Sequence, residues 1–214
     1  MSRSPMMAAT LQSTFLAALS SILAQTITAY KHQTSWLIDW IPVFQFVLFT
    51  MISTPPNFLW QEYLEKTFPS NPGPVVHPKK TDDKAPEPRL SKRNTVAKFV
   101  LDQTIGAAVN TLLFSTFMRS LRMASPHALP VTNFTKAIDF WVSPGAVDFS
   151  RVDFNQVLVA SLDEFWPLIS AGYKLWPIVS LINFSLVKSV QVRNLVGAVA
   201  GVAWGVYICL VTSN

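Results

Sequence analysis

The sequence predicts an all-α protein, a polytopic membrane helix bundle of four spans whose last span is broken at a Trp-Pro step; five is the alternative count. Three observations carry that prediction. Half of the 214 residues are hydrophobic and only 14% are charged, where a soluble domain carries about a quarter. The charges are also unevenly spread, with none between Thr10 and Tyr30 and none between Trp40 and Gln61. Lastly, Leu195 to Val211 holds no charge, and Gly197, Gly201 and Gly205 recur there every four residues. That spacing lets helix backbones pack closely in a bilayer and offers a surface for a second copy of the chain. The length would suit one or two soluble domains, but the charge distribution favours a single integral membrane domain over residues 1–214.

The first span is expected over residues 10–30, about 20 residues and enough to cross the hydrocarbon core. On a helix Ser13, Ala17, Ser20, Ala24 and Thr28 share one face. Such a stripe admits a neighbouring helix, so Ser20 and Gln25 either join helices or line a polar path. Trp36, Asp39 and Trp40 then mark the membrane surface. The second span is expected over 41–60, with Pro42 suited to its first turn. Pro55 and Pro56 donate no backbone hydrogen bond and are expected to break or kink its far end.

Residues 68–94 differ in kind. Six prolines alternate there with charged side chains, a composition that buries little and reads as a disordered polar linker between spans two and three. The linker holds six of the 17 Lys and Arg residues. It should therefore face the cytosol, or the matrix in a mitochondrion, with the N-terminus on the same side.

The third span, over 96–118, contains Lys98, Asp102, Gln103 and Asn110. Lys98 and Asp102 lie four apart and share a helix face, while Gln103 and Asn110 share a neighbouring one. Carboxylates inside a span usually face the bundle interior and have a partner. Asp102, Gln103 and Asn110 thus either line a polar lumen or belong to an ion pair at the membrane surface. Residues 123–150 read as loop, punctuated by Pro126, Pro130 and Pro144-Gly145. Residues 152–169 read as an amphipathic helix at the interface, with Phe154, Val157, Leu158, Leu162, Phe165 and Ile169 on its apolar side. In the last block, Trp166-Pro167, Trp176-Pro177 and the basic break between Lys188 and Asn194 interrupt apolar helical sequence.

Several function classes lack support. The net charge of +5 suggests nucleic acid, but the one cluster of basic residues sits in the linker, without interleaved aromatics, and positive-inside topology is the simpler cause. His32, His77 and His127 lie apart and lack metal-ligand spacing. No phosphate loop, dinucleotide fingerprint or nucleophile elbow occurs, and adjacent Asp163 and Glu164 diverge on a helix. The triplets at Asn133 and Asn183 that match a glycosylation signal are short enough to arise by chance. A lone cysteine, Cys209, excludes an internal disulfide. The N-terminus resembles neither a cleavable signal nor an Arg-rich transit peptide, so the address is expected to be internal. No enzyme and no cofactor are expected.

The motifs of the last block, in their order, resemble those of the Mpv17/PMP22 family of organelle membrane proteins, in detail a fungal branch. They are Trp176-Pro177, Asn183-Phe184, Arg193 and Trp204-Gly205-Val206-Tyr207. Leu101-Asp102-Gln103 resembles the family's Asp-Gln step, and Pro55, Trp60 and Leu64 its second-span ending. The chain departs from the family pattern in carrying Lys188 and Ala108 where prolines are usual. The resemblance implies a multi-pass protein of the mitochondrial inner or the peroxisomal membrane. It further implies a weakly selective channel for small solutes, or alternatively a structural or sorting role in organelle integrity or peroxisome-derived bodies. The expected path is lined by Asp102, Gln103, Asn110 and Asn183, with Lys188 or Arg193 compensating the carboxylate. The partners expected are the bilayer, the solutes and a homo-oligomer, and not nucleic acid.

Overall fold

The structure is a computed structural model and describes residues 3–72, 90–125 and 130–212. Among these, all regular structure is helical. Residues 73–89 of the predicted linker, His77, His127 and the side chain of Cys209 lie outside the described residues.

Helix α1 (Arg3–Lys31) covers the first predicted span. Its burial is inverted relative to a surface helix of a soluble protein. Met7, Leu11, Phe15, Leu19 and Leu23 point outward, whereas Ser20, Ser21 and Ala24 are buried. Small and hydroxyl side chains face the neighbouring helices α9 (Val190–Thr212) and α2 (Trp40–Thr67). Large apolar chains outside and small ones inside is the arrangement expected where lipid replaces water. Among the described residues, Pro5–Lys31 alone is both long and apolar enough to cross a membrane by itself; Trp176–Leu186 is apolar but shorter.

Helix α2 begins where the Asp39 carboxylate accepts the Ile41 N–H. Pro55 and Pro56 do not break it: the helix runs eleven residues further, to Thr67. Each proline deletes one rung of the ladder, but the turns beyond them are held by contacts with α3 (Lys92–Leu101) and α9.

The third predicted span is α3 (Lys92–Leu101), a π-helical turn (Asp102–Gly106) and α4 (Ala107–Ala124) in unbroken succession. Ser91 caps α3 by accepting the Asn94 N–H. The predicted linker is narrower than 68–94. The Ser91 N–H bonds the Ser70 carbonyl at 2.9 Å, and Asn94 Nδ2 bonds that of Pro69 at 2.9 Å. Both ends are thus tied together.

The region read as loop contains α5 (Phe134–Val142), capped by Asn133, whose side chain accepts from Lys136 N–H. Aromatic contacts of Phe134 with Trp40 and Phe44 seat it on α2. The predicted amphipathic helix is two helices, α6 (Phe154–Asp163) and α7 (Phe165–Gly172), parted at Glu164. The C-terminal block breaks twice more, at 173–175 ahead of α8 (Trp176–Leu186) and at 187–189 ahead of α9. Pro177 sits in the first turn of α8, where its missing N–H costs nothing.

Candidate functional site

A polar seam runs where α2, α3, α8 and α9 meet, and it starts from helix periodicity. Beyond the two prolines, Asn57, Gln61 and Glu65 follow at intervals of four along one face of α2. On α3, which passes it antiparallel, Lys98 and Asp102 are likewise four apart. Two rungs result. Lys98 Nζ donates to Glu65 Oε2 at 2.7 Å, and Gln61 Nε2 donates to Asp102 Oδ1 at 2.9 Å. Lys98 and Asp102 thus share a face, as the spacing requires, but each reaches a partner on α2 instead of the other.

The first rung is a charge cluster. Glu65 also accepts from Arg193 Nη1 at 2.6 Å. Ser70, at the mouth of the linker, receives Lys98 Nζ and Arg193 Nη2 on its hydroxyl, which itself donates to Glu65. Its N–H donates to the second carboxylate oxygen at 2.7 Å. Lys98 is 0% and Arg193 2% exposed, and both cations stand over the Phe184 ring, 5.3 Å from its centroid. The remaining guanidinium donor, Nε, bonds the Asn183 and Val187 carbonyls at the end of α8. Arg193 thereby satisfies orphan carbonyls at the α8–α9 break, which a helix end otherwise leaves bare. Burial alone would push the Glu65 carboxyl up, but Lys98, the Ser70 N–H and Arg193 together hold it down at about 2. Glu65 lies five residues past the apolar 41–60 stretch.

The second rung centres on Asp102. Besides Gln61, its carboxylate accepts from Ser180 Oγ at 2.8 Å and from Gln103 Nε2 at 3.2 Å. All three donors are neutral, and no ion pair reaches Asp102 among the described residues. The Gln103 carbonyl, inside the π-turn, accepts from the Tyr173 hydroxyl at 2.9 Å. Gly106 closes the turn against Trp60: a Cβ there would stand 3.0 Å from the indole nitrogen.

The expected polar lining is therefore assembled only in part. Asp102 and Gln103 are together, but the α8 residue facing them is Ser180, not Asn183. Asn183 instead bonds the Arg193 carbonyl at 3.2 Å. Arg193 compensates Glu65 and not Asp102, and Lys188 is exposed in the break. Asn110 is exposed while Gln103 is buried. The π-turn between them takes up more residues per turn than an α-helix, so residues seven apart no longer share a face. Ser20 and Gln25 join elements: Ser20 packs against Gly205, and Gln25 exchanges two hydrogen bonds with the Asp39 backbone. Glu164 is exposed and pairs with Arg119 and Ser115. Glu65 and Ser70 escape sequence reasoning because their partners lie up to 128 residues away; the interval of four linking Asn57, Gln61 and Glu65 signals Glu65, and nothing signals Ser70.

The remaining motif residues form a patch. Trp176 contacts Trp204, which stacks on Tyr207, and Lys174 donates to the Tyr207 hydroxyl at 3.0 Å. Gly205 sits against Ser20 of α1, whereas a Cβ at Gly197 or Gly201 would meet nothing within 4 Å.

The Mpv17/PMP22 family model matches residues 150–209, the stretch that supplies Ser180, Phe184, Arg193 and the aromatic patch. Over that block the chain is similar to the Mpv17/PMP22 family. Its similarity to known members reaches beyond that block. It is 24% identical over 210 residues to PXMP2/4 family protein 3 of Dictyostelium discoideum, covering 98% of this chain and 85% of the relative. It is 22% identical over 222 residues to Protein sym1 of Schizosaccharomyces pombe, covering 97% and 85%. No solved structure matches. The family match and these relatives support an organelle membrane protein of the Mpv17/PMP22 type.

Proposed function

We propose that this Mpv17/PMP22 protein is a weakly selective channel for small hydrophilic solutes in the mitochondrial inner or the peroxisomal membrane. One observation carries the reading: the Asp102 carboxylate lies between α2, α3 and α8, held by three neutral donors and by no cation among the described residues. An ionisable group at such depth is costly and marks a solute or ion pathway by default. In this reading α1, the 41–60 part of α2, and α3 with α4 span the bilayer. The broken run from α7 to α9 forms the fourth crossing. Breaks at 173–175 and 187–189 suit it, because non-helical backbone at membrane depth is tolerated where it faces protein or a polar cavity. The protein acts without chemistry of its own and without a cofactor.

Planar-bilayer conductance of the purified full chain, with Asp102→Asn alongside, tests this. Discrete openings are expected, with cation preference reduced in the variant. Silence from folded, inserted protein would overturn the channel. A structural or sorting role is the second reading, favoured by the open face at Gly197 and Gly201. It expects Gly201→Leu to disrupt a homo-oligomer and the wild type to conduct nothing.

A further inference from the structure

We infer that Asp102, with the side-chain oxygens of Gln61 and Gln103, forms a binding site for a largely dehydrated monovalent cation. Both glutamine amides turn their NH₂ groups to the carboxylate, Gln61 at 2.9 Å and Gln103 at 3.2 Å. Each amide oxygen is then left one amide's width from an Asp102 oxygen. Both of these oxygens, Gln61 Oε1 and Gln103 Oε1, are buried without a hydrogen-bond partner among the described residues, and Gln103 as a whole is 9% exposed. A buried acceptor without a donor is costly, and the cost recurs here twice beside an anion. A cation relieves all three oxygens together; a further protein donor does not occupy the place, because Lys98 and Arg193 are both committed to Glu65.

The donor set also fixes the class of ion. Calcium takes six to eight oxygens, usually from several carboxylates, and magnesium holds a near-ideal octahedron with its waters. One carboxylate with neutral carbonyl-type oxygens matches an ion of single charge, whose hydration such oxygens replace. Trp60 Nε1 is the complementary orphan, a buried donor without an acceptor. A Cβ on Gly106 would stand 3.0 Å from that nitrogen and 3.4 Å from Asp102 Oδ1, so the indole and the carboxylate flank the same turn. A water retained by the ion would accept from the indole and donate to the carboxylate. The site deepens the channel reading, and its role in transport rests on that reading.

The test is equilibrium stability of the full chain in detergent, in sodium, potassium or N-methylglucamine chloride at equal ionic strength. Sodium or potassium should raise the unfolding temperature by a few degrees, saturably, over the bulky cation. Asp102→Asn should abolish the difference, and Gln61→Met, which keeps the carboxylate, should weaken it. Equal unfolding temperatures in all three salts, or the same ion-dependent rise in Asp102→Asn, would overturn the site and leave a bound water only. If Asp102→Asn does not fold, sodium-23 relaxation on wild type competed by potassium against Gln61→Met decides: an uncompeted signal, or one unchanged by Gln61→Met, also overturns it. No conduction enters these measurements. An ion-dependent rise in a protein silent in bilayers would keep the site and remove the pore, and conduction without ion dependence would do the reverse.

Discussion

Replacing Glu65 by glutamine would leave Lys98 and Arg193, both almost fully buried, facing no anion. Removing one partner of a buried pair is far worse than removing the pair, because a desolvated charge stays behind. The three groups already sum to one excess positive charge, so the two sides are not equivalent. Glu65→Gln should lower stability by about 3 kcal/mol. Lys98→Met should cost less, since it leaves Glu65 and Arg193 matched one to one. Thermal unfolding in detergent compares the two, and equal losses would show that charge balance is not what the cluster contributes. The pH dependence follows with its sign. The carboxyl is held at about 2 in the folded protein, against an ordinary 4.5. Its contribution is therefore complete above about pH 4.5 and is lost as pH falls towards 2. The stability gap between wild type and Glu65→Gln should be flat from neutral pH down to that point and shrink below it.

At the scale of elements, the α1–α9 contact depends on Gly205. A Cβ added there would collide with Ser20 Oγ but lie 3.7 Å from Ser20 Cβ. The hydroxyl can rotate away, so Gly205→Ala should be tolerated, within about 1 kcal/mol. Gly205→Leu drives a branched chain into the backbone of α1 and should cost about 1–3 kcal/mol. Gly197→Leu should leave the unfolding temperature of the single chain unchanged, since nothing faces it. The sequence made these elements legible where long apolar stretches and small-residue spacing coincide: α1, the run from α3 to α4 and the broken C-terminal run. It misled where local chemistry was overridden by packing. Pro55 and Pro56 predict a break or kink, yet α2 continues unbroken because Asn57, Gln61 and Glu65 have partners on α3, the π-turn and α9. The loop expected over 123–150 hides α5, whose start depends on Asn133 as a cap and whose place depends on aromatic contacts with Trp40 and Phe44. Of the site, Asp102 and Gln103 could be found because a carboxylate inside an apolar helix stands out. Ser180 could not, since one serine in an apolar stretch has no signature. The π-turn, which separates Gln103 from Asn110, leaves no periodic mark in the sequence either.

Across the whole molecule, the seam closes a circuit between distant parts of the chain. Ser70 and Ser91 join the two ends of the segment between α2 and α3 through a direct 2.9 Å hydrogen bond. Asn94 bonds the Pro69 carbonyl beside it, and Ser70 binds the side chains of Lys98 and Arg193. The geometry that α2 and α3 need is thus supplied at residues 69–70 and 91–94, not by the sequence between. Loop closure depends only weakly on what the loop contains, since doubling its length costs about 0.6 kcal/mol. Exchanging residues 73–89 for a Gly/Ser segment of equal length should therefore leave both the unfolding temperature and the bilayer behaviour of the protein at wild-type values. Ser70→Ala, a far smaller change, should lower the unfolding temperature, because it strips a shared hydroxyl from three charged groups. The opposite ranking, with the Gly/Ser exchange destabilising and Ser70→Ala silent, would place the organising contacts in the segment itself rather than at its base.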